Sequence, residues 1–226
     1  MEFFNVLVQY FPSFSVALVE TIKLTVVSLL CASVLGVIFG MFKVSGLGPL
    51  KLIANTYIDI IRGTPLMVQT MIVFYGLSQV LRPLGFSWSS LGGAFTAGAV
   101  TLSLNAGAYM AEIIRGGIEA VDKGQMEAAR SLGLPYGKAM SKVILPQAFR
   151  MMMPSIINQF IISLKDTSLI SVIGIRELTQ NGKIIAANSA SRVMAIWLVV
   201  ALFYLVICTF LSRVAKFVER RVSYAK

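Results

Sequence analysis

The chain has no histidine, two cysteines and few charges: only 13% of its 226 residues are Asp, Glu, Lys or Arg. Each shortage excludes something. Without imidazole, the side chain that most readily titrates near neutrality and ligates zinc is missing. Cys31 and Cys208 stand inside apolar runs with no zinc spacing, so neither a metal site nor a disulfide framework is expected, and both read as small buried apolar residues. No paired carboxylates and no nucleophile–base pair suggest catalysis, so no catalytic residue is assigned and the chain is not expected to be an enzyme by itself. A soluble domain carries about 25% charged residues. Half that share, with 57% hydrophobic residues and a mean hydropathy of +0.80, describes an integral membrane protein, read as one domain over residues 1–226. The net charge of +10 does not point to nucleic acid, because the basic residues cluster at the ends of apolar runs. The N-terminus lacks a basic segment before its first apolar run and a small-residue cleavage site after it, so no cleaved signal peptide is expected.

What is present is apolar length. A bilayer core of about 30 Å needs roughly 20 helical residues. By that measure five spans are expected, over about 13–42, 53–81, 91–114, 154–173 and 193–214. An odd number puts the ends on opposite sides, and Lys and Arg set which. With the N-terminus outside, thirteen basic residues fall inside: Lys43, Lys51, Arg115, Lys123, Arg130, Lys138, Lys142, Arg150, Arg213, Lys216, Arg220, Arg221 and Lys226. Four fall outside: Arg82, Arg176, Lys183 and Arg192. This bias predicts an outer N-terminus and a cytoplasmic C-terminus. In the outer segment, Asn181-Gly182 reads as a turn.

The long polar stretch at 122–146 falls on the inner side. Gly133 suits a left-handed helix end and Pro135 a helix start, so two short helices are expected, over 124–132 and 135–145. Met126, Ala129 and Leu132 share one face of the first by their i, i+3, i+6 spacing. A solvated hairpin between spans would also carry these signals. The spacing adds more: Glu127-Ala128-Ala129, three residues, Gly133, nine residues, Val143, one residue, Leu145-Pro146. It resembles the EAA loop of bacterial ABC importer permeases, with Val143 where that pattern prefers Ile. In that family the loop is the coupling helix that docks into a groove on the ATP-hydrolysing subunit. The resemblance thus assigns the coupling role to Glu127, Ala128, Ala129, Gly133 and Leu134.

Two further runs carry a narrower resemblance. Arg62-Gly-Thr-Pro-Leu with Gln69, and Ala111-Glu-Ile-Ile-Arg-Gly-Gly-Ile118 leading into the loop, look like the polar amino-acid branch of that family. Pro65 lacks an N–H and disfavours helix at Thr64, so the second span should break there. Asn105, Tyr109 and Glu112 share a face of the third span, with Glu112 able to pair with Arg115 or to act as a gate. Lys165 and Asp166 are adjacent, so they point about 100° apart on a helix. Gly36 and Gly40 form a GxxxG spacing that permits close helix contact, and Glu20 and Lys23 can pair three residues apart.

The nearest thing to a phosphate loop, Gly133 to Ala139, has one residue too few between its glycines and Ala where Ser or Thr should hold magnesium. This chain is therefore not expected to bind ATP by that mechanism, or any cofactor, and the resemblance implies that ATP and Mg belong to a separate subunit. The resemblance implies an all-α membrane protein of the type I ABC importer kind, with five spans and a cytoplasmic coupling hairpin. Its implied partners are ABC ATPase subunits, a second permease subunit (a copy or a sibling), an extracytoplasmic amino-acid-binding protein and lipid, in a bacterial inner membrane. Arg62, Thr64, Asn105, Asn158, Lys165 and Asp166 are the candidate substrate-path residues, or else hydrogen bonds that hold the bundle. The alternative is a stand-alone secondary transporter or channel whose intramembrane charges relay ions.

Overall fold

A computed structural model describes residues 2–223, with side chains described as far as Phe217. The side chains of Arg220 and Arg221, and Lys226, all counted in the inner tail, lie outside the described residues. Among the described residues, the longer helices are α1 (Glu2–Val44), α2 (Gly48–Arg62), α3 (Leu66–Leu84), α4 (Gly93–Glu119), α5 (Lys123–Ser131), α6 (Tyr136–Ile173), α7 (Leu178–Ala187) and α8 (Val193–Ser223). Among the described residues there is no strand.

The helix α4 lies at the centre, packed against both α1 and α6. Its buried face is made largely of small residues, among them Ala97, Gly98, Ala106, Gly107, Ala108 and Ala111. Small side chains let neighbouring backbones close in. The GxxxG pair on α1 uses that closeness: a Cβ on Gly36 would stand 2.5 Å from Met110 Cβ, and one on Gly40 would stand 2.9 Å from Ile114 Cγ2. The pair therefore serves packing inside the subunit.

Length and apolarity alone qualify three helices to cross a bilayer: α1, α6 and the stretch Ala190–Phe217. The bent pair α2–α3 makes a fourth. At 27 residues α4 is long enough but too polar to qualify; its neighbours bury more than half of it, including Thr101, Ser103 and Asn105. The outward faces of α1 and α8 are apolar instead, with Val8, Leu30, Leu205 and Phe210 all exposed. Cys31 is exposed and Cys208 half-buried, so the expectation that both are buried is corrected: an apolar run by itself does not say which of its residues the neighbouring helices cover.

The expected break at Thr64–Pro65 is present, as a turn of 102° between α2 and α3. Two local expectations change. The Asn181-Gly182 pair lies inside α7 rather than in a turn; Gly182 is there because a Cβ would meet Val200 Cγ2 at 2.6 Å. Buried Glu177 starts that helix, accepting from the N–H groups of Thr179 (3.0 Å) and Gln180 (2.6 Å) and from the Tyr204 hydroxyl (2.8 Å). Burial pushes its carboxyl above the usual range, opposed by those donors. Finally, the second hairpin helix does not stop at residue 145. A π turn at Met140–Ile144 precedes Pro146, and α6 runs on through Pro154 to Ile173, 38 residues in all.

Candidate functional site

Two places carry the residues singled out in the sequence. The first is the hairpin. Asp122 caps α5 by accepting from Gly124 N at 2.7 Å. At the other end Gly133 adopts φ +81°, Gly133 N donates to Arg130 O (3.0 Å) and Leu134 N to Ala129 O (3.2 Å). This pair of bonds is a Schellman closure, the left-handed end expected at Gly133. Pro135 sits one position earlier than expected, at the N-cap of α6, where its carbonyl accepts from Lys138 and Ala139. Ala129 is buried, and Met126 packs against the cluster that includes Met140 and Ile144. Leu132 does not share that inner face as the spacing suggested. It caps the helix and is 85% exposed, because α5 ends at Ser131 and the chain has begun to turn. Glu127, Ala128 and Gly133 are exposed too, so the hairpin presents an outward surface of one acid, small residues and one large apolar knob.

The second place is a cavity of about 620 Å³ at the elbow between α2 and α3, a volume typical of small-molecule sites. Arg62, Thr64, Asn105 and Asp166 line it, joined by Tyr109 and Gln159. The elbow is held by one side chain. Pro65 cannot donate to Ile61 O, and Gln69 Nε2 takes that place at 2.7 Å, also reaching Thr64 O and Thr64 Oγ1, each at 2.9 Å. Asn105 Nδ2 donates to Gln69 Oε1 at 3.0 Å and so orients the amide. Below, Arg62 lies over the Tyr109 ring at 5.3 Å, with Nη1 3.8 Å from Glu112 Oε2. Its carboxylate neighbour is thus Glu112 on α4, not Asp59 one turn back. Glu112 is the expected partner of Arg115 (2.9 Å) and also accepts from Lys43.

Asn158 and Lys165 are exposed and do not line this cavity. Their sequence neighbours Gln159 and Asp166 do, and the signal for Gln159 was its spacing of seven from Asp166, two turns along one helix face. Tyr109 was visible on the face of α4 but not singled out as a cavity wall.

Residues 32–224 match the model of a family described as the binding-protein-dependent transport system inner membrane component. The chain belongs to that family. This inner membrane component is 38% identical over 219 residues to the arginine transport system permease protein ArtQ of Bacillus subtilis (strain 168), covering 97% of this chain and 96% of ArtQ. It is 40% identical over 202 residues to the glutamine transport system permease protein GlnP of Escherichia coli (strain K12), covering 89% of each. Among solved structures it superimposes on an amino acid ABC transporter chain with a TM-score of 0.87 at 40% identity, covering 96% of this chain and 98% of that one. The MetNI methionine ABC transporter shares the fold, with a TM-score of 0.73 at 18% identity. The chain is an all-α permease of the type I importer kind, embedded in the membrane.

Proposed function

We infer that this inner membrane component is the membrane-spanning subunit of an ATP-driven importer of polar amino acids. The observation that carries the reading is the hairpin. A capped, Schellman-closed helix exposes Glu127, Ala128, Leu132 and Gly133 and is joined, through the four-residue turn 132–135 with its left-handed Gly133, to a helix about 57 Å long. A partner ATPase that holds the exposed Glu127, Ala128 and Gly133 would grip the end of that helix, with half-buried Leu134 at the edge of the surface and Ala129 not in it but buried beneath, backing it from inside this chain. ATP and Mg bind that partner. When its two copies close, the hairpins move with them and the spans re-orient, which is alternating access driven by differential binding to two states. Five spans are few for a complete path, so a second permease subunit, a copy or a sibling, completes it, and an extracytoplasmic amino-acid-binding protein delivers substrate. The Lys and Arg bias puts the N-terminus outside and the hairpin and C-terminus in the cytoplasm of a bacterial cell with this inner membrane.

The cavity supports the substrate class. A free amino acid carries a carboxylate and an ammonium, and the walls offer Arg62 for the first and Asp166 for the second, with Thr64, Asn105, Tyr109 and Gln159 between. The relatives named for arginine, glutamine and cystine fit such a zwitterion site. The test is uptake of labelled amino acids by proteoliposomes holding the chain with its coexpressed ATPase and binding protein. Uptake that requires internal ATP is expected. Uptake without the ATPase would return the chain to the stand-alone carriers.

A further inference from the structure

Beneath the cavity lies a cluster of charge that the transport reading above does not use. Lys43 on α1 donates to Glu112 Oε1. Arg115 holds Oε2 through Nε (3.1 Å) and Nη2 (2.9 Å) and also pairs with Glu119. Arg62 reaches the same Oε2 only at 3.8 Å, beyond hydrogen-bond distance. The cluster is partly buried: the Lys43 and Glu112 side chains are 17% and 15% exposed, against 43% for Arg62. Three cations share two carboxylates, so the group is one negative charge short. The shortfall falls on Arg62, because both oxygens of Glu112 are already hydrogen-bonded to other cations. Arg62 rests on the Tyr109 face, and its guanidinium borders the cavity.

We propose that Lys43 and Glu112 are positioning residues for Arg62: Lys43 occupies Glu112, keeps it from neutralising Arg62, and so leaves the guanidinium able to receive the α-carboxylate of an amino acid in the cavity. This rests on the reading of the chain as an amino-acid permease. The physical reason is competition. A carboxylate that paired bidentately with Arg62 in a half-buried setting would have to be displaced by the substrate. While Lys43 and Arg115 engage Glu112, it anchors Arg62 at a distance without saturating it. Lys43 does not line the cavity, so it does not contact a ligand there, and its link to Arg62 runs through Glu112.

The charge count supplies the test. The chain is assembled with its coexpressed ATPase in lipid nanodiscs, without the binding protein, and equilibrium binding of labelled L-arginine, L-glutamine and L-cystine is measured. The carboxamide derivative of the best ligand serves as a competitor without the carboxylate. Lys43→Met balances the cluster and should raise the amino-acid Kd roughly tenfold while leaving that of the carboxamide unchanged. Lys43→Arg should bind as the wild type does. The double variant Lys43→Met/Glu112→Gln removes one negative charge, restores the single excess positive charge of the wild-type cluster and should return Kd to within about threefold of wild type. Should Lys43→Met fail to assemble, Lys43→Gln removes the charge and keeps a donor for Glu112. Wild-type affinity in the single variant overturns the proposal, as does a double variant no tighter than the single. A purely structural role for Lys43 would shift amino acid and carboxamide alike. Binding of none of the three amino acids by the wild-type complex overturns both this proposal and the amino-acid reading, whereas loss of this proposal alone leaves wild-type binding intact.

Discussion

Gln69 shows how one side chain can make a broken helix tolerable inside a membrane. Its amide offers two hydrogens to three acceptors around Pro65. The motif run was legible in the sequence, and so was the break at Pro65. That Gln69 repairs the break was not, because the contact spans a turn of 102° that no periodicity encodes. The same holds for Asn105, which the sequence offered as a substrate contact and which the structure shows orienting Gln69 from the cavity wall. Replacing Gln69 by Leu keeps the bulk and removes the donors. The variant should lose about 1–3 kcal/mol for each carbonyl left unpaired, read as a lowered unfolding midpoint in detergent, while Thr64→Val, which removes one acceptor, should cost less. Equal midpoints for Gln69→Leu and wild type would mean that something else closes the elbow.

Among the elements, the hairpin and α6 form one continuous device. Sequence reasoning separated them, ending the second hairpin helix at 145 and starting the fourth span at 154, because it counted only apolar length. The π turn at Met140–Ile144 widens the helix just before Pro146, and the rod continues. Gly133 is then the one residue at which the hairpin can turn, at φ +81°. A β-branched residue there is strained by roughly 1–2 kcal/mol, enough to rotate α5 away from its Schellman closure. Gly133→Val should therefore insert and fold but copurify poorly with the coexpressed ATPase and lose ATP-dependent uptake, whereas Gly133→Asn, which tolerates the left-handed region, should retain more of both. Normal coupling in the Val variant would remove the lever from the account. The GxxxG pair shows the opposite relation: its spacing was visible early, but only the facing Met110 and Ile114 reveal which helix it admits.

For the whole molecule, orientation is the quantity that the charge bias predicts. Leu132 in the hairpin is 85% exposed and Leu84 at the end of α3 is 82% exposed, so each tolerates a reporter. After Cys31 and Cys208 are replaced by Ser, a single cysteine at position 84 should react with a membrane-impermeant maleimide in spheroplasts. One at position 132 should react only once the membrane is opened. The reverse pattern would invert the topology and place the hairpin where no ATP is found.

The sequence by itself determined the class of molecule, the positions of most apolar helices, the hairpin with its left-handed glycine, and the family. These follow from short-range facts: apolar length against bilayer thickness, proline and glycine stereochemistry, and fixed residue offsets. Only the tertiary structure decided that α4 lies at the centre with more than half of it buried, that Asp166 and Gln159 rather than Lys165 and Asn158 line the cavity, and that Arg62 faces Glu112 rather than Asp59. Which side of a helix meets lipid, a neighbour or a cavity depends on where the other helices lie, and residues distant in the chain set that arrangement together.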